Sequence, residues 1–243
     1  MQFSDELEFT HRDRKDVYEH VERYGTVEYE AARTALNMEP SAFGHHVAIL
    51  KRDGIIREDD NHLSVAFESG TEQRFSEDDV EVVIRQAHES DLSGLVGAIR
   101  MAIDDETYIV AENIADIVDH ENVLLRHNDL RSRVFFVATV NEDVVGWVHL
   151  NAPEIEKLSH TAELTVGVLP AYRGYGIGSH LLQRGLEWAT EQEYEKVYNS
   201  VPSTNEEAIE FLDSHGWETE AVREDHYLID GEYIDEVMMA VSL

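Results

Sequence analysis

The sequence predicts a mixed α/β (α+β) protein in two units, and three observations carry that prediction. Residues 14–67 hold three short helical periodicities followed by an alternating pair of strands. From residue 80 onward, strand-like and helix-like segments succeed one another. Between residues 164 and 182 a strand runs into an amphipathic helix through three closely spaced glycines. A chain of 243 residues is long enough for one large domain or two modest ones.

The elements follow in order. KDVYEHVERYG repeats apolar residues at Val17, Tyr18 and Val21 and stops at Gly25, a residue suited to helix ends. VEYEAARTALNM predicts a second short helix and EPSAFGHHVAILKRDGII a third, with Pro40 near its start and Gly54 at its end. IIREDDNHLSVAF alternates on either side of Asp59, Asp60 and Asn61 as a small hairpin. Residues 68–79 have almost no large apolar side chain and read as a linker, which divides the chain into units 1–67 and 80–243. VEVVIRQAH then predicts a strand, ESDLSGLVGAIRMAI a helix opened by Ser90 or Asp91, and AENIADIVDHENVLLRHN a further helical stretch. RVFFVATVNEDVVGWVHLN predicts two paired strands joined at NED, and TAELTVGVL another strand. In SHLLQRGLEWATEQ, Leu181, Leu182, Gly185, Leu186 and Ala189 mark one buried helical face.

Composition bounds the function. Asp and Glu number 51 against 19 Lys and Arg, a formal net charge of −32. Such a field repels nucleic acid and anionic lipid at low ionic strength. Four of the basic residues are Lys, and an acidic, Lys-poor chain resembles the proteins of salt-accumulating, haloarchaeal cells, where screening within ~3 Å at 1 M salt removes the repulsion. The absence of Cys excludes thiol catalysis, disulfides and cysteine zinc sites, and no metal is expected. No run approaches the ~18 apolar residues of a membrane span, and MQFSDELEFT lacks the pattern of a signal peptide. A cytoplasmic protein without a membrane partner is the expectation.

A strand, a glycine-rich turn and a helix together form an anion site, because backbone N–H groups and the helix dipole converge there. A dinucleotide fingerprint would read Gly-x-Gly-x-x-Gly, whereas Gly174, Gly176 and Gly178 alternate. A nucleoside triphosphate loop would need a Lys before its Ser or Thr, and Ser179 follows Gly178 directly. The run Arg173-Gly174-Tyr175-Gly176-Ile177-Gly178 resembles the acetyl-coenzyme A loop, Arg/Gln-x-x-Gly-x-Gly/Ala, of the GNAT N-acetyltransferases. Downstream, VYNSVPSTNEEAIEFLDSHGW is similar to the family's next strand, its Asn-x-x-Ala element at Asn205 and Ala208, and its Gly-aromatic close at Gly216 and Trp217.

That resemblance spans about residues 80–243. It implies a central, mostly antiparallel sheet flanked by helices, and acetyl transfer from acetyl-CoA to an amine acceptor. It implies that Arg173, Gly174, Tyr175, Gly176, Ile177, Gly178 and Ser179 hold the pyrophosphate, that Asn205 lies at the cofactor, and that Val166 and Val168 meet the pantetheine by main-chain contacts. Glu163, on the same strand, takes the place of the general base that draws a proton from the amine, often through water. His149 and His160 are secondary options. Two departures matter. Leu212 stands where many relatives carry a Tyr that protonates the leaving thiolate, so Tyr227 or Tyr233, or a thiolate of free pKa about 8.5 leaving unaided, would have to serve. Ser200 stands where the ribosomal-protein N-terminal acetylating branch carries a glutamate, which counts against that branch. The acceptor is selected by walls around residues 101–123 and the last strands, which vary across the family.

Residues 14–67 resemble a winged helix-turn-helix domain, with SAFGHHVAILKRDGII at the recognition-helix position and Asp59, Asp60 and Asn61 at the wing tip. The resemblance implies Ser41, His45 and His46 facing bases, with Lys51 and Arg52 near phosphates. Residues 1–67 hold 14 acidic and 8 basic residues, and such a fold also contacts protein, so DNA and partner protein both stay open, as does a homodimer. Two functions follow: an active N-acetyltransferase carrying a winged-helix module, or a transcription regulator whose acetyltransferase domain senses acetyl-CoA without efficient turnover.

Overall fold

The computed structural model describes residues 9–66, 72–78, 80–103, 109–128, 131–153 and 155–243. Its first unit runs α1 (Arg12–Tyr24), β1 (Thr26–Glu28), α2 (Tyr29–Ala35), α3 (Pro40–Arg52), β2 (Ile56–Asp59) and β3 (His62–Val65). Helix α1 ends at Gly25, where φ is 73°, and Pro40 opens α3, where its missing N–H leaves no bond unmade. Asp60 and Asn61, with φ of 45° and 65°, form the expected turn between β2 and β3. The three strands pair antiparallel in the order β1-β3-β2. Val17, Tyr18 and Val21 of α1 close with Phe43, Val47 and Leu50 of α3 over Ile56 and Leu63.

The second unit contains β4 (Gln73–Glu77), β5 (Val80–Gln86), α4 (Leu92–Ile103), α5 (Ile109–Glu121), β6 (Arg126–His127), β7 (Arg131–Val140) and β8 (Asp143–Pro153). It continues through β9 (Thr161–Val168), α6 (Ile177–Glu191), β10 (Lys196–Pro202), α7 (Glu206–Ser214), β11 (Glu218–Ile229) and β12 (Glu232–Ser242). One sheet takes the order β11-β12-β10-β9-β8-β7-β5-β4, with β6 beside β7. All its pairings are antiparallel except β9 with β10. Helix α6 lies close on this sheet: a Cβ on Gly185 would come within 2.9 Å of Leu164 and Val148.

Two expectations need correction. Residues 73–77, read as linker, form an edge strand paired with β5 from Gln73↔Ile84 to Glu77↔Val80. Backbone bonds hold it with Phe75, which stacks on His180 at 4.0 Å, and Gln73, which donates to Glu187 at 3.3 Å, so the segment carries almost no apolar signal. Ser90 and Asp91 do not open α4 directly. They lie in a short 3₁₀ turn in which the His88 N–H donates to Asp91 at 2.7 Å, and α4 begins at Leu92.

The units meet along α1 and β6. The Tyr18 hydroxyl donates to the His127 carbonyl at 2.6 Å. Arg126 donates to the carbonyls of Glu22 and Arg23 at 2.8 and 3.2 Å, so a cation from the second unit meets the unsatisfied C-terminal carbonyls of α1. Asn128 completes the seam by donating to the Glu22 carboxylate at 2.9 Å.

Candidate active site

The site begins where a ladder stops. Strands β9 and β10 pair only from Thr161↔Lys196 to Glu163↔Tyr198. Beyond that rung each strand follows its other neighbour, β9 staying with β8 as far as Val168 and β10 with β12 as far as Pro202. A cleft of about 370 Å³ opens between them, walled by residues 165–168 and 199–202. Ala102, Ile109, Val110 and Ala111 of α4 and α5 reach its lining, within the stretch expected to shape acceptor choice.

At the mouth, Gly174 and Gly176 have φ of 85° and 71°, a region that side chains disfavour. Gly176 is also the N-cap of α6 and offers no side-chain cap, so first-turn N–H groups are left for another acceptor. Gly178 differs, because a Cβ there would make ordinary contact with Phe211 at 3.5 Å. Arg173, Gly174, Gly176, Ile177, Gly178 and Ser179 line the cleft together with Val166, Val168 and Asn205. Tyr175 shapes the turn and packs its ring against the core instead. Arg173 lies 3.7 Å from Glu207, and His215, which the sequence reading missed, holds Ser179 through Nε2 at 2.9 Å.

Three buried polar atoms on the lining have no hydrogen-bond partner among the described residues: Thr165 Oγ1, Trp147 Nε1 and Asn205 Nδ2. Asn205 uses its other amide atom to cap α7, accepting from the Ala208 N–H at 3.2 Å. Each unmet buried group costs about 1–3 kcal/mol, which a hydrogen-bonding ligand in the cleft would offset.

Glu163 occupies the last paired rung, between Asn151 of β8 and Tyr198 of β10. Burial, reinforced by the charge of Glu236, pushes its carboxyl above the ordinary value, against an opposing pull from Asn151. Burial and then Glu163 push the Tyr198 phenol up in turn. His149 is 2% exposed, lies across from Thr165 and packs on Phe135 at 4.6 Å, whereas His160 is exposed in the turn before β9.

The substitutes expected for the missing acid do not reach the cleft. Tyr227 donates to Glu236 at 3.1 Å, and burial followed by that carboxylate pushes its phenol far up. Tyr233 is 67% exposed. Leu212 is on the lining and 1% exposed, and Tyr172 is the tyrosine of the lining among the described residues. In the first unit Ser41 and His45 are exposed. His46 is not: it is 6% exposed and turned toward α1. Lys51 and Arg52 are exposed but paired with Glu58 and Asp53 at 2.6 and 2.8 Å. Trp147, Thr165, Tyr198 and Asn199 escaped the sequence reading because their meeting depends on the register of β8, β9 and β10.

Residues 102–217 match the model of the acetyltransferase (GNAT) family. An N-alpha-acetyltransferase of Sulfurisphaera tokodaii is 34% identical over 122 residues, which cover 45% of this chain and 69% of that protein. The structure of ribosomal-protein-alanine N-acetyltransferase from Brucella melitensis is 27% identical, with a TM-score of 0.52 over 66% of this chain and 99% of that one. The structure of yncA from Salmonella typhimurium, solved with acetyl-CoA, shares the fold at 21% identity, with a TM-score of 0.52 over 67% of this chain and 94% of that one.

Proposed function

This chain belongs to the GNAT family of acetyltransferases, and from that premise we propose that it transfers an acetyl group from acetyl-CoA to a primary amine. The observation that carries the reading is the parting of β9 and β10 beside the uncapped N-terminus of α6. The lining suits the cosubstrate: helix N–H groups for phosphate, open strand edges for the amides of pantetheine, and the unmet atoms of Thr165, Trp147 and Asn205.

Acetyl-CoA supplies the activated acyl thioester. Residues 173–179 hold its phosphates, and the main chain at Val166 and Val168 aligns the pantetheine arm. Holding both reactants in line is worth several kcal/mol. A backbone N–H on the open edge of β9 donates to the acyl oxygen as it gains charge. Glu163, ionised above its raised pKa and set outside the cleft lining, accepts the amine proton through water as the nitrogen bonds the acyl carbon. The C–S bond then breaks and coenzyme A leaves as its thiolate.

The test is calorimetric titration of acetyl-CoA in molar KCl, with thiol release followed over peptide N-termini, amino acids and polyamines. Binding with turnover supports the enzyme. Absence of binding would sink the reading of the loop. Tight binding without turnover would favour a second reading, an acetyl-CoA sensor, for which Leu212 in the cleft and Tyr227 tied to Glu236 are the motivating observations.

The first unit serves in this reading as a winged-helix docking module fixed to the catalytic unit at α1. The pairing of Lys51 and Arg52 with carboxylates favours a protein partner over DNA. Fluorescence anisotropy with a random duplex at low and molar salt checks this, and saturable binding that survives salt would reverse the preference.

A further inference from the structure

His11, Asp13 and His46 form a cluster that the acetyl-transfer reading does not use. His11 is the N-cap of α1, Asp13 lies in its first turn, and His46 projects from the middle of α3. The Asp13 carboxylate lies 3.6 Å from His46 Nε2 and 3.9 Å from His11 Nδ1. One ligand atom from each of the three falls within 4.8 Å of the others.

His46 is the informative member. It is 6% exposed, its Nδ1 is buried without a hydrogen-bond partner among the described residues, and the contact of Nε2 with Asp13 is too long for a hydrogen bond. An apolar side chain would fill this buried place on α3 without that penalty. The nitrogen that meets the cluster is Nε2, which faces the Asp13 carboxylate beyond hydrogen-bond distance while the His11 ring lies 4.8 Å away, so the three donors converge without bonding one another.

We propose that these three side chains bind one divalent transition-metal ion of the zinc, cobalt or nickel class, clasping the start of α1 onto α3. Two imidazole nitrogens and one carboxylate oxygen suit such ions better than magnesium or calcium. Metal–ligand bonds of about 2.0–2.1 Å put tetrahedral donors roughly 3.4 Å apart. The Asp13–His46 pair is close to that spacing, and exposed His11 supplies the remaining movement by side-chain rotation. The His11 and Asp13 side chains are 52% and 48% exposed, so a fourth position opens to water. Two costs weaken the site relative to a closed structural zinc centre: His11 gives up its bond from the Asp13 N–H at 3.2 Å, and the N-terminus of α1 carries positive partial charge.

The test uses the full chain, stripped by chelator and titrated with Co²⁺ in excess Mg²⁺, which occupies the acidic surface. Expected are one equivalent of Co²⁺, visible bands of imidazole-bound cobalt that Zn²⁺ displaces, and a higher melting temperature with metal. Loss of a residue that merely orients a ligand already costs roughly 10–100-fold in affinity, so His11→Ala and Asp13→Asn should each weaken uptake at least that far. His46→Gln serves as a third variant where circular dichroism confirms its fold. Absence of saturable uptake above Mg²⁺, or uptake unchanged in folded His11→Ala, would overturn the site.

Discussion

Glu163 closes the last rung before β9 and β10 part, and its surroundings set a pH dependence whose sign can be worked out. As the proposed base it would act ionised, and burial raises its pKa above the ordinary 4.5. Activity should therefore fall as pH drops through that raised value, and Glu163→Gln should remove the limb. A general base of this kind is worth about 10²–10⁴ in rate. The variant should lose that much in kcat while binding acetyl-CoA much as before, since Glu163 is not on the cleft lining. Turnover that survives the change would remove Glu163 from the mechanism. Stability runs the other way. Between 4.5 and the raised value the folded state binds more protons than the unfolded one, so stability falls as pH rises through that window. Glu163→Gln should escape this loss, so its melting temperature relative to wild type should rise from acid to neutral pH.

At the scale of elements, the turn from β9 into α6 was the most legible part of the sequence, because Gly174 and Gly176 mark backbone conformations that local residues alone dictate. The hairpin of β2 and β3 was legible for the same reason, at Asp60 and Asn61. What the sequence hid was set by pairing over distance. The edge strand β4 carries little apolar signal, and the meeting of Trp147, Thr165 and Asn199 depends on three separate strands. His46 was misassigned because a helix drawn alone does not reveal that α1 covers that face. Gly167 is another such long-range constraint: a Cβ there would lie 2.3 Å from Cζ2 of Trp147, whose ring is 2% exposed and lines the cleft. Gly167→Ala should therefore cost about 1–3 kcal/mol by overpacking and push the ring into the cleft. Expected are a lower melting temperature and weaker acetyl-CoA binding together. A variant that melts lower but binds normally would show that the ring gives way on its other side.

For the whole molecule the governing quantity is a net charge of −32 carried on 243 residues. Folding brings these charges together, so repulsion is greater in the compact state than in the unfolded chain. The screening length falls from about 30 Å at 0.01 M salt to about 3 Å at 1 M, so added salt should remove most of that cost. Attractive pairs oppose the trend, since salt also weakens surface contacts such as Lys196–Glu220. Each such pair is worth only about 0–1 kcal/mol, and 19 cations cannot pair 51 carboxylates. Repulsion wins this comparison, and the melting temperature should climb with KCl and level off near ~1 M, where the screening length has shrunk to the size of a contact. NaBr at equal ionic strength separates screening from solvent exclusion: screening predicts the same rise for both salts, whereas exclusion effects depend on the ion. A melting temperature that stays flat or falls with both salts would mean that the carboxylates are spaced widely enough for water alone to screen them.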